Sequence, residues 1–404
     1  MMKSGHLFIR KRSVKIVAVF LSLLLLTGCW DRLELTEVGI ITALAIDKNP
    51  ETGEYILSAQ YLRPAALSAV APSPVEPFIV ITSKGTTVSE LIRKADQNVG
   101  RNGFYAHNKV VIVSEEVAKD GLLNLFETFQ RDKRVRSYVW VAVAKGTMAR
   151  TFLEKKVKSI ASVPANFLNS LFISAKFDAV THNLLNFYKK SLKEGIDPVL
   201  GVLSFDKAEE LEEESIKLTG GAVFQQDSFV GFLNETEAMA YNWVRTESTN
   251  KSQGTFKVPM DDGSIISLRL ISKKAKIIPT IKGEEPITFT IELNQETQLV
   301  EQVANRKFTS NQEVVEYVNK VKETTEKQVE EDIMRLVEKT QTELKSDILG
   351  FGGETIHKKN PKVWHKIKEN WQENYPNTKV EVKVNVTIKN AGLIKGGELA
   401  PGEQ

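Results

Sequence analysis

The only cysteine of the chain, Cys29, lies three positions behind an apolar run of 11 residues that spans positions 16–26. With one thiol the chain can form no internal disulfide, so its folded state depends on the burial of apolar side chains. The run is too short to cross a bilayer as a helix, which takes about 20 apolar residues. Since no later run approaches that length, we expect the body of the chain to fold in water.

The segment before Cys29 has the order of a secretory signal peptide, with basic residues, then the apolar run, then small residues. Leu26-Thr27-Gly28-Cys29 resembles a lipobox, in which small residues admit the peptidase and the thiol takes a diacylglycerol. We expect cleavage between Gly28 and Cys29 and a two-chain lipid on Cys29, because a single chain binds membranes only marginally. The alternative is a signal anchor in which the cysteine has no role. The basic residues of the leader are Lys3, Arg10, Lys11, Arg12 and Lys15.

Charge is distributed unevenly between the leader and the body. The whole chain carries 54 basic and 51 acidic residues, a net charge of +3. Without the five basic residues of the leader, 49 basic residues face 51 acidic ones, a net charge of −2. A body so evenly balanced gives no electrostatic reason to expect nucleic-acid binding. A charged fraction of 26% with 8% aromatic residues is typical of folded domains and excludes wholesale disorder.

The body alternates segments of strand and helix periodicity. In the first half, apolar runs at 38–46, 109–113 and 138–144 predict strands buried on both faces, with helical spacing between them. Towards the C-terminus, apolar residues three or four apart over 314–348 predict one amphipathic helix of over thirty residues. Strict alternation over 379–389 predicts a half-buried strand. Together these patterns predict an α+β chain.

A length of 404 residues corresponds to two or three domains, and an acidic block over 205–218 has the composition of a solvated boundary. We expect three domains, each with a mixed or antiparallel sheet flanked by helices. The predicted division is a signal peptide over 1–28, an N-terminal α/β domain over 29–205, a middle α+β domain over 206–295, and a C-terminal domain over 296–404 with the long helix and the terminal strand.

The sequence contains no catalytic or ligand-binding motif with a specific spacing. The five histidines are scattered and outside any HExxH-type pattern, so we expect no metal site. The chain has no G-x-S-x-G elbow, no P-loop and no G-x-G-x-x-G after a strand, so we expect neither catalytic residues nor a cofactor. Its carboxylates lie in helical charge runs that solvated surface explains equally well. These features favour a binding or assembly component over an enzyme.

Two clusters are candidate interaction sites. Arg101, Asn102 and His107 lie in a turn-rich link between predicted elements, where they could contact a partner or serve ordinary turn chemistry. Trp364 and Trp371 are seven positions apart, which places both on one helix face, for core packing or for ligand stacking.

Three ordered groups of residues carry a family resemblance. The first is Gly28-Cys29-Trp30-Asp31 with Glu34-Leu35, Gly39-Ile40 and Ala45-Ile46-Asp47; the second is His107–Val113 with Gly121-Leu122 and Phe129–Asp132; the third is Gln341–Gly352, including the candidate interaction residue Asp347, with Asn360-Pro361, Trp364, Trp371 and Gly392. Together they resemble the C-subunit lipoproteins of bacterial spore germinant receptors, the Ger(x)C type. Ala106 is a mild departure from the family pattern, in which a small polar residue is expected before the histidine.

The resemblance implies a non-enzymatic protein of three α+β domains, anchored by lipid on the outer face of the spore inner membrane. It implies two integral membrane partners, an A-type and a B-type receptor subunit. The complex it implies senses nutrient germinants and triggers release of ions and dipicolinic acid. It specifies neither the germinant nor whether this subunit contacts it.

Two other classes of anchored extracytoplasmic protein are alternatives. A lipid-anchored solute-binding protein usually has two similar α/β lobes around a hinge, and residues 206–404 do not repeat the first half. A cell-wall hydrolase needs a catalytic carboxylate in a cleft.

Overall fold

The computed structural model describes residues 37–67, 75–131, 135–155, 161–175, 177–207, 214–245, 254–282, 286–303, 308 and 310–389. The predicted signal peptide and lipidation site, with Gly28 and Cys29, lie outside these ranges, and so does Gly392.

The first ten strands of the described chain form one mixed sheet in the order β10-β9-β7-β6-β5-β1-β2-β3, with β4 paired to β1 and β8 paired to β7. β1, β5, β6 and β7 run parallel, and their neighbours are added antiparallel except for β4. The bounds are β1 Val38–Lys48, β2 Tyr55–Leu62, β3 Phe78–Gly85, β4 Asn102–Phe104, β5 Val110–Ser114, β6 Trp140–Ala144, β7 Val199–Lys207, β8 Glu214–Leu218, β9 Gly221–Gln225 and β10 Ser228–Leu233.

Helices cover both faces of this sheet. One face packs against α1, α2, α3 and α6, and the other packs against α4 and α5. The parallel strands are therefore buried on both sides, as their continuous apolar sequences predict. The bounds are α1 Val88–Val99, α2 Glu115–Lys119, α3 Leu123–Arg131, α4 Thr151–Glu154, α5 Pro164–Ser174 and α6 Leu184–Ser191.

A second sheet has the order β11-β12-β13-β14. β12 and β13 form a long antiparallel hairpin, and β14 pairs parallel with β13 from Thr288 opposite Lys379 onward. α8 packs along β14, and its core side chains join those of the sheet. The bounds are α7 Glu235–Val244, β11 Thr255–Pro259, β12 Ile265–Thr280, β13 Thr288–Val303, α8 Asn311–Thr342, a π-helical turn Phe351–Ile356, α9 His357–Lys359, α10 Pro361–Ile367, α11 Trp371–Asn374 and β14 Lys379–Lys389.

One apolar core continues from the end of the first sheet into the second. Val199 and Val223 of the first sheet belong to the same buried cluster as Ile291 of β13 and Val321 of α8. Because this cluster is continuous, the C-terminal elements rest on the first sheet and are held by it.

The prediction of an α+β chain is confirmed. The predicted strand over 379–389 is β14. The long helix is present as α8, with 32 residues, but it ends at Thr342 and not near 348. The apolar spacing continues past Thr342 because Leu344 and Ile348 are still buried, although the chain has left the helix and Lys345 has a φ of 47°.

The predicted domain boundaries fall inside strands. Position 206 lies within β7 and position 296 within β13, and strand pairing continues through both positions. The two described ends of the acidic block, 205–207 and 214–218, are part of this pairing, because β8 begins at Glu214 and pairs with β7. The division into three domains stays a prediction.

Candidate functional site

A buried junction joins the loop before β7 to the turn after α8. Asp347, which is 3% exposed, lies in that turn. Its carboxylate accepts hydrogen bonds from the backbone N–H groups of Gly350 at 2.7 Å, Phe351 at 3.0 Å and Gly352 at 2.9 Å. The indole Nε1 of Trp371 donates a fourth bond at 3.0 Å. One carboxylate thus satisfies three N–H groups that begin a helical turn, which have no partner within the helix itself.

Asp197 holds Asp347 from the other side of the junction. The Asp197 N–H donates to the Asp347 carbonyl, and the Asp347 N–H donates to the Asp197 carboxylate, each at 2.9 Å. The second carboxylate oxygen of Asp197 accepts from the Gln226 N–H at 2.7 Å. Asp197 therefore ties together three segments that are distant in the sequence.

Glycines allow the two sides of the junction to approach this closely. Gly195 has a φ of +72°, and a Cβ atom at this position would overlap the ring of Trp364 and lie 2.5 Å from the Gly353 nitrogen. The Gly353 N–H donates to the Gly195 carbonyl at 2.7 Å. A Cβ atom on Gly353 would in turn overlap the Glu194 carbonyl. The backbone contact thus requires glycine on both sides.

An ion-pair network surrounds the same turn. Arg245, at the end of α7, donates from Nη1 to the Leu349 carbonyl at 3.0 Å and to the Glu354 carboxylate at 3.3 Å. Lys193 Nζ donates to the other Glu354 oxygen at 2.7 Å. Burial alone would raise the pKa of Glu354, but the Lys193 hydrogen bond and the Arg245 charge outweigh it and lower that pKa. Glu354 therefore stays ionised and links α7 to the loop before β7.

Asp347 and Asp197 both have raised pKa values, in contrast to the lowered pKa of Glu354. Burial raises the pKa of Asp347 to about 6, although the N–H bonds from Gly352 and Phe351 act to lower it. The neighbouring charge of Asp197 adds to the rise. The pKa of Asp197 is itself raised, again chiefly by burial. The junction therefore takes up a proton in mildly acidic solution.

A cleft of ≈ 390 Å³ opens onto the junction. Lys368 and Glu194 form an ion pair there at 3.1 Å. Because the Asp347 oxygens already accept four hydrogen bonds, that carboxylate is occupied by structural bonds and has the role of a tie between segments. The cleft is lined by Ser191–Asp197, Gln226, Asp347, Lys368, Glu369, Trp371 and Gln372. Over the ranges that the structure describes, no group of His, Cys, Asp and Glu side chains could hold a metal ion.

Trp364 and Trp371 belong to this junction but not to one helix. Trp364 lies in α10, Trp371 begins α11, and a 3₁₀ turn over Lys368–Asn370 separates them. Their rings are T-shaped with centroids 5.7 Å apart, and they are 2% and 4% exposed. The prediction of one continuous helix face is wrong, because the α-helix that holds Trp364 ends at Ile367 and Trp371 begins another. Both rings pack in the core.

Arg101, Asn102 and His107 form a separate surface. Asn102 begins β4, and the exposed His107 ring packs against the exposed ring of Phe104 with centroids 5.4 Å apart. Asp96 organises this link, because its carboxylate accepts hydrogen bonds from the Gly103 N–H at 3.1 Å and from the Tyr105 hydroxyl at 3.4 Å.

Sequence reasoning named Asp347 and its partner Trp371 but missed the other residues of the junction. Asp197, Arg245 and Gly195 have no local pattern that marks them, since each acts on a segment more than a hundred residues away. The signal that could have identified Gly195 and Gly353 is the sequence around them, Lys-Glu-Gly-Ile-Asp-Pro at 193–198 and Gly-Phe-Gly-Gly at 350–353. Both combine turn residues with a carboxylate nearby.

Comparison with known proteins gives two family matches in chain order. Residues 31–205 match the family described as the spore germination protein N-terminal domain. Residues 219–392 match the family described as spore germination B3/GerAC like, C-terminal. Together the two matches cover the junction and both sheets apart from β8 and the last two residues of β7.

Whole-chain relatives agree with these matches. Spore germination protein KC of Bacillus subtilis (strain 168) is 27% identical over 402 residues, covering 93% of this chain and 95% of the relative. Spore germination protein B3 of the same organism is 25% identical, covering 95% of this chain and 99% of the relative. The crystal structure of the GerBC protein shares the fold, with a TM-score of 0.57 over 86% of this chain and 97% of that one, at 21% identity.

The fold and the site define an α+β protein of two sheets that a buried polar junction holds together. The chain belongs to the GerAC family of spore germination proteins, the C-type subunits of germinant receptors. It therefore has a role in spore germination.

The described residues include no helix that is both long enough and apolar enough to cross a membrane.

Proposed function

We propose that the chain is a non-enzymatic, lipid-anchored subunit of a nutrient germinant receptor, held by Cys29 on the outer face of the spore inner membrane. It would be needed for receptor assembly and for triggering germination. The observation that carries the proposal is the ordered match of 31–205 and 219–392 to germination families. That match follows directly on a lipobox-like segment ending at Cys29.

The junction supports an assembly role. The carboxylates of Asp347 and Asp197 accept hydrogen bonds that hold backbone segments together, and Trp364 and Trp371 are buried with them. Such a site fixes the C-terminal elements against the first sheet, which gives the protein a pre-formed surface. Pre-formed surfaces bind partners with less loss of conformational entropy. A tether to the membrane also raises the effective concentration of membrane partners, so that moderate contacts suffice.

The partners we propose are two integral membrane subunits, one A-type and one B-type. The relatives are themselves named as spore germination proteins A3 and B3, among others. Tagged chain should be purified from spore inner membranes and the copurifying proteins identified by mass spectrometry. Two polytopic membrane proteins in comparable amounts are expected.

An ABC-type permease as the main copurifying protein would contradict the receptor assignment and favour solute binding. Loss of wall lysis in Glu→Gln variants of cleft residues such as Glu194 and Glu369, with the membrane partners retained, would favour a hydrolase. Both readouts use the intact, membrane-bound chain.

A further inference from the structure

The amino-terminal ends of neighbouring strands meet at one edge of the first sheet. Val38, the first residue of β1, pairs with Asn102 of β4. The Trp140 N–H, at the start of β6, donates to the Lys109 carbonyl just before β5 at 3.1 Å. The chain that comes from Cys29 enters the sheet here. We therefore call Val38 with the ranges 101–109 and 136–140 the entry edge.

The entry edge carries two exposed aromatic rings. Tyr138 is 74% exposed and Phe104 is 41% exposed. His107, whose ring contacts Phe104, lies two residues before Lys109, and Tyr138 lies two residues before its hydrogen-bonded neighbour Trp140. The rings therefore stand on adjacent strand ends. An amphipathic ring such as that of tyrosine suits a boundary that is apolar on one side and wet on the other.

Basic side chains accompany the rings. Arg101 and Arg136 are both exposed at this edge, and Lys109 is half-buried there. Its acidic neighbours are Glu37, next to Val38, and Asp96, whose carboxylate accepts from the Gly103 N–H. The body of the chain as a whole has a net charge of −2, so an edge with two arginines differs in sign from the average surface. Arginine near an aromatic ring is the composition that anionic lipid headgroups attract.

The length of the chain between Cys29 and Val38 limits how far the entry edge can lie from the bilayer. Val38 lies nine positions after Cys29, and a fully extended chain spans at most about 3.6 Å per residue, which gives about 32 Å. If Cys29 carries the lipid, the entry edge stays within that distance of the bilayer. The other end of β6 lies about 17 Å farther along the strand, since β6 has five residues.

We infer that the entry edge is a membrane-contacting surface, on which Phe104 and Tyr138 enter the headgroup layer of a phospholipid bilayer while Arg101 and Arg136 bind anionic headgroups. This inference rests on the proposed lipid anchor at Cys29. It assigns the protein an orientation, with the strand starts towards the bilayer and the strand ends away from it.

The single cysteine makes a direct test possible. Once Cys29 is blocked by lipid, a cysteine introduced by Tyr138→Cys becomes the only free thiol and can take an environment-sensitive fluorophore. Met148→Cys is the matched control, because Met148 follows the same strand at its other end and is 41% exposed. The lipidated full chain is reconstituted on vesicles of phosphatidylcholine and phosphatidylglycerol with brominated acyl chains, which quench a fluorophore that touches them.

The label at position 138 should be quenched at least about twofold more than the label at position 148. Equal quenching at the two positions, in protein that floats with the vesicles, would overturn the inference and leave the anchor intact. Protein that does not float would instead contradict the anchor at Cys29. Shielding of the 138 label only when integral receptor subunits are also present would assign the edge to a protein partner and overturn its assignment to lipid.

Discussion

Gly195 shows how narrowly the junction is built at the scale of single residues. Its backbone packs against Gly353 and the Trp364 ring, and its φ of +72° lies in the left-handed region. Side chains are disfavoured there by about 1–2 kcal/mol. Two separate costs therefore oppose any replacement, one from the backbone conformation and one from lack of space.

Gly195→Ala should lower the free energy of unfolding more than Gly146→Ala. Gly146 has nearly the same conformation, with a φ of +71°, but a Cβ atom there would meet nothing within 4 Å. The excess loss expected at Gly195 is about 1–3 kcal/mol, the cost of overpacking. Urea unfolding followed by tryptophan fluorescence measures both. Equal losses for the two variants would mean that the junction has room to relax.

Asp347 should make stability depend on pH between about 4 and 6. Its folded pKa is raised to about 6 by burial, whereas an unfolded aspartate has a pKa of about 3.9. Between these values the folded chain binds more protons than the unfolded chain. Protonated Asp347 therefore contributes to the free energy of unfolding at low pH, and this contribution is lost as the pH rises through about 6. The loss amounts to about 3 kcal/mol.

The Asp347→Asn variant isolates this effect, because it cannot titrate. The difference in unfolding free energy between the native chain and the variant should shrink as the pH is raised from about 4 to about 7. Asp261→Asn, which changes a side chain that is 80% exposed, should show no such trend. Parallel pH profiles for the native chain and Asp347→Asn would contradict the assignment.

At the scale of elements, α8 protects the open edge of the second sheet. The Glu326 carboxylate accepts a hydrogen bond from the Val386 N–H at 2.8 Å, and Glu330 accepts from the Val384 N–H at 3.1 Å. Unpaired N–H groups on an edge strand invite pairing with another chain. The two carboxylates occupy those donors and so prevent it.

Replacing Glu326 and Glu330 together by alanine should lower stability by about 2 kcal/mol, since each hydrogen bond contributes about 1 kcal/mol. It should also promote self-association, which sedimentation velocity would detect. Glu323 and Glu338 lie exposed on the same helix, so their double replacement by alanine is the matched control. Similar sedimentation of both double variants would show that the edge needs no such protection.

Sequence periodicity predicted elements well where one face is buried over many residues. α8 and β14 are examples, because Val321, Val329 and Ile333 repeat with the turn of a helix and Val380–Ile388 alternate with the pleat of a strand. The end of α8 was missed because Leu344 and Ile348 remain buried outside the helix. Apolar periodicity indicates which side chains are buried, and the side chains after Thr342 stay buried although the backbone is no longer helical.

The candidate site was predicted only in part. Asp347, Trp364 and Trp371 lie within one short stretch and could be named from the family resemblance. Their partner Asp197 could not, because the contact joins positions 150 apart and depends on how two sheets meet. Such a contact follows from the tertiary fold and has no local signature.

At the scale of the whole molecule, the proposed anchor makes the clearest prediction. Cys29→Ala should move the protein from the membrane fraction to the soluble fraction or leave it unprocessed, because each buried CH₂ of the lipid contributes about 0.8 kcal/mol to membrane binding. Membrane fractionation followed by immunoblotting measures this. Germination of the variant spores should be poor. Normal germination with the protein in the soluble fraction would show that the lipid is dispensable.

The parallel pairing of β14 with β13 sets the order in which this molecule can fold. Thr288 of β13 pairs with Lys379 of β14, and the helices α8 to α11 lie between these two residues in the sequence. Contacts between such distant positions form slowly, because a long loop must close first. The first sheet is complete by Leu233, whereas the second cannot close until nearly the last residue of β14 has emerged. The strand pairing of the first sheet can thus form while the C-terminal half is still being made, and only the junction at Asp197 must wait for Asp347.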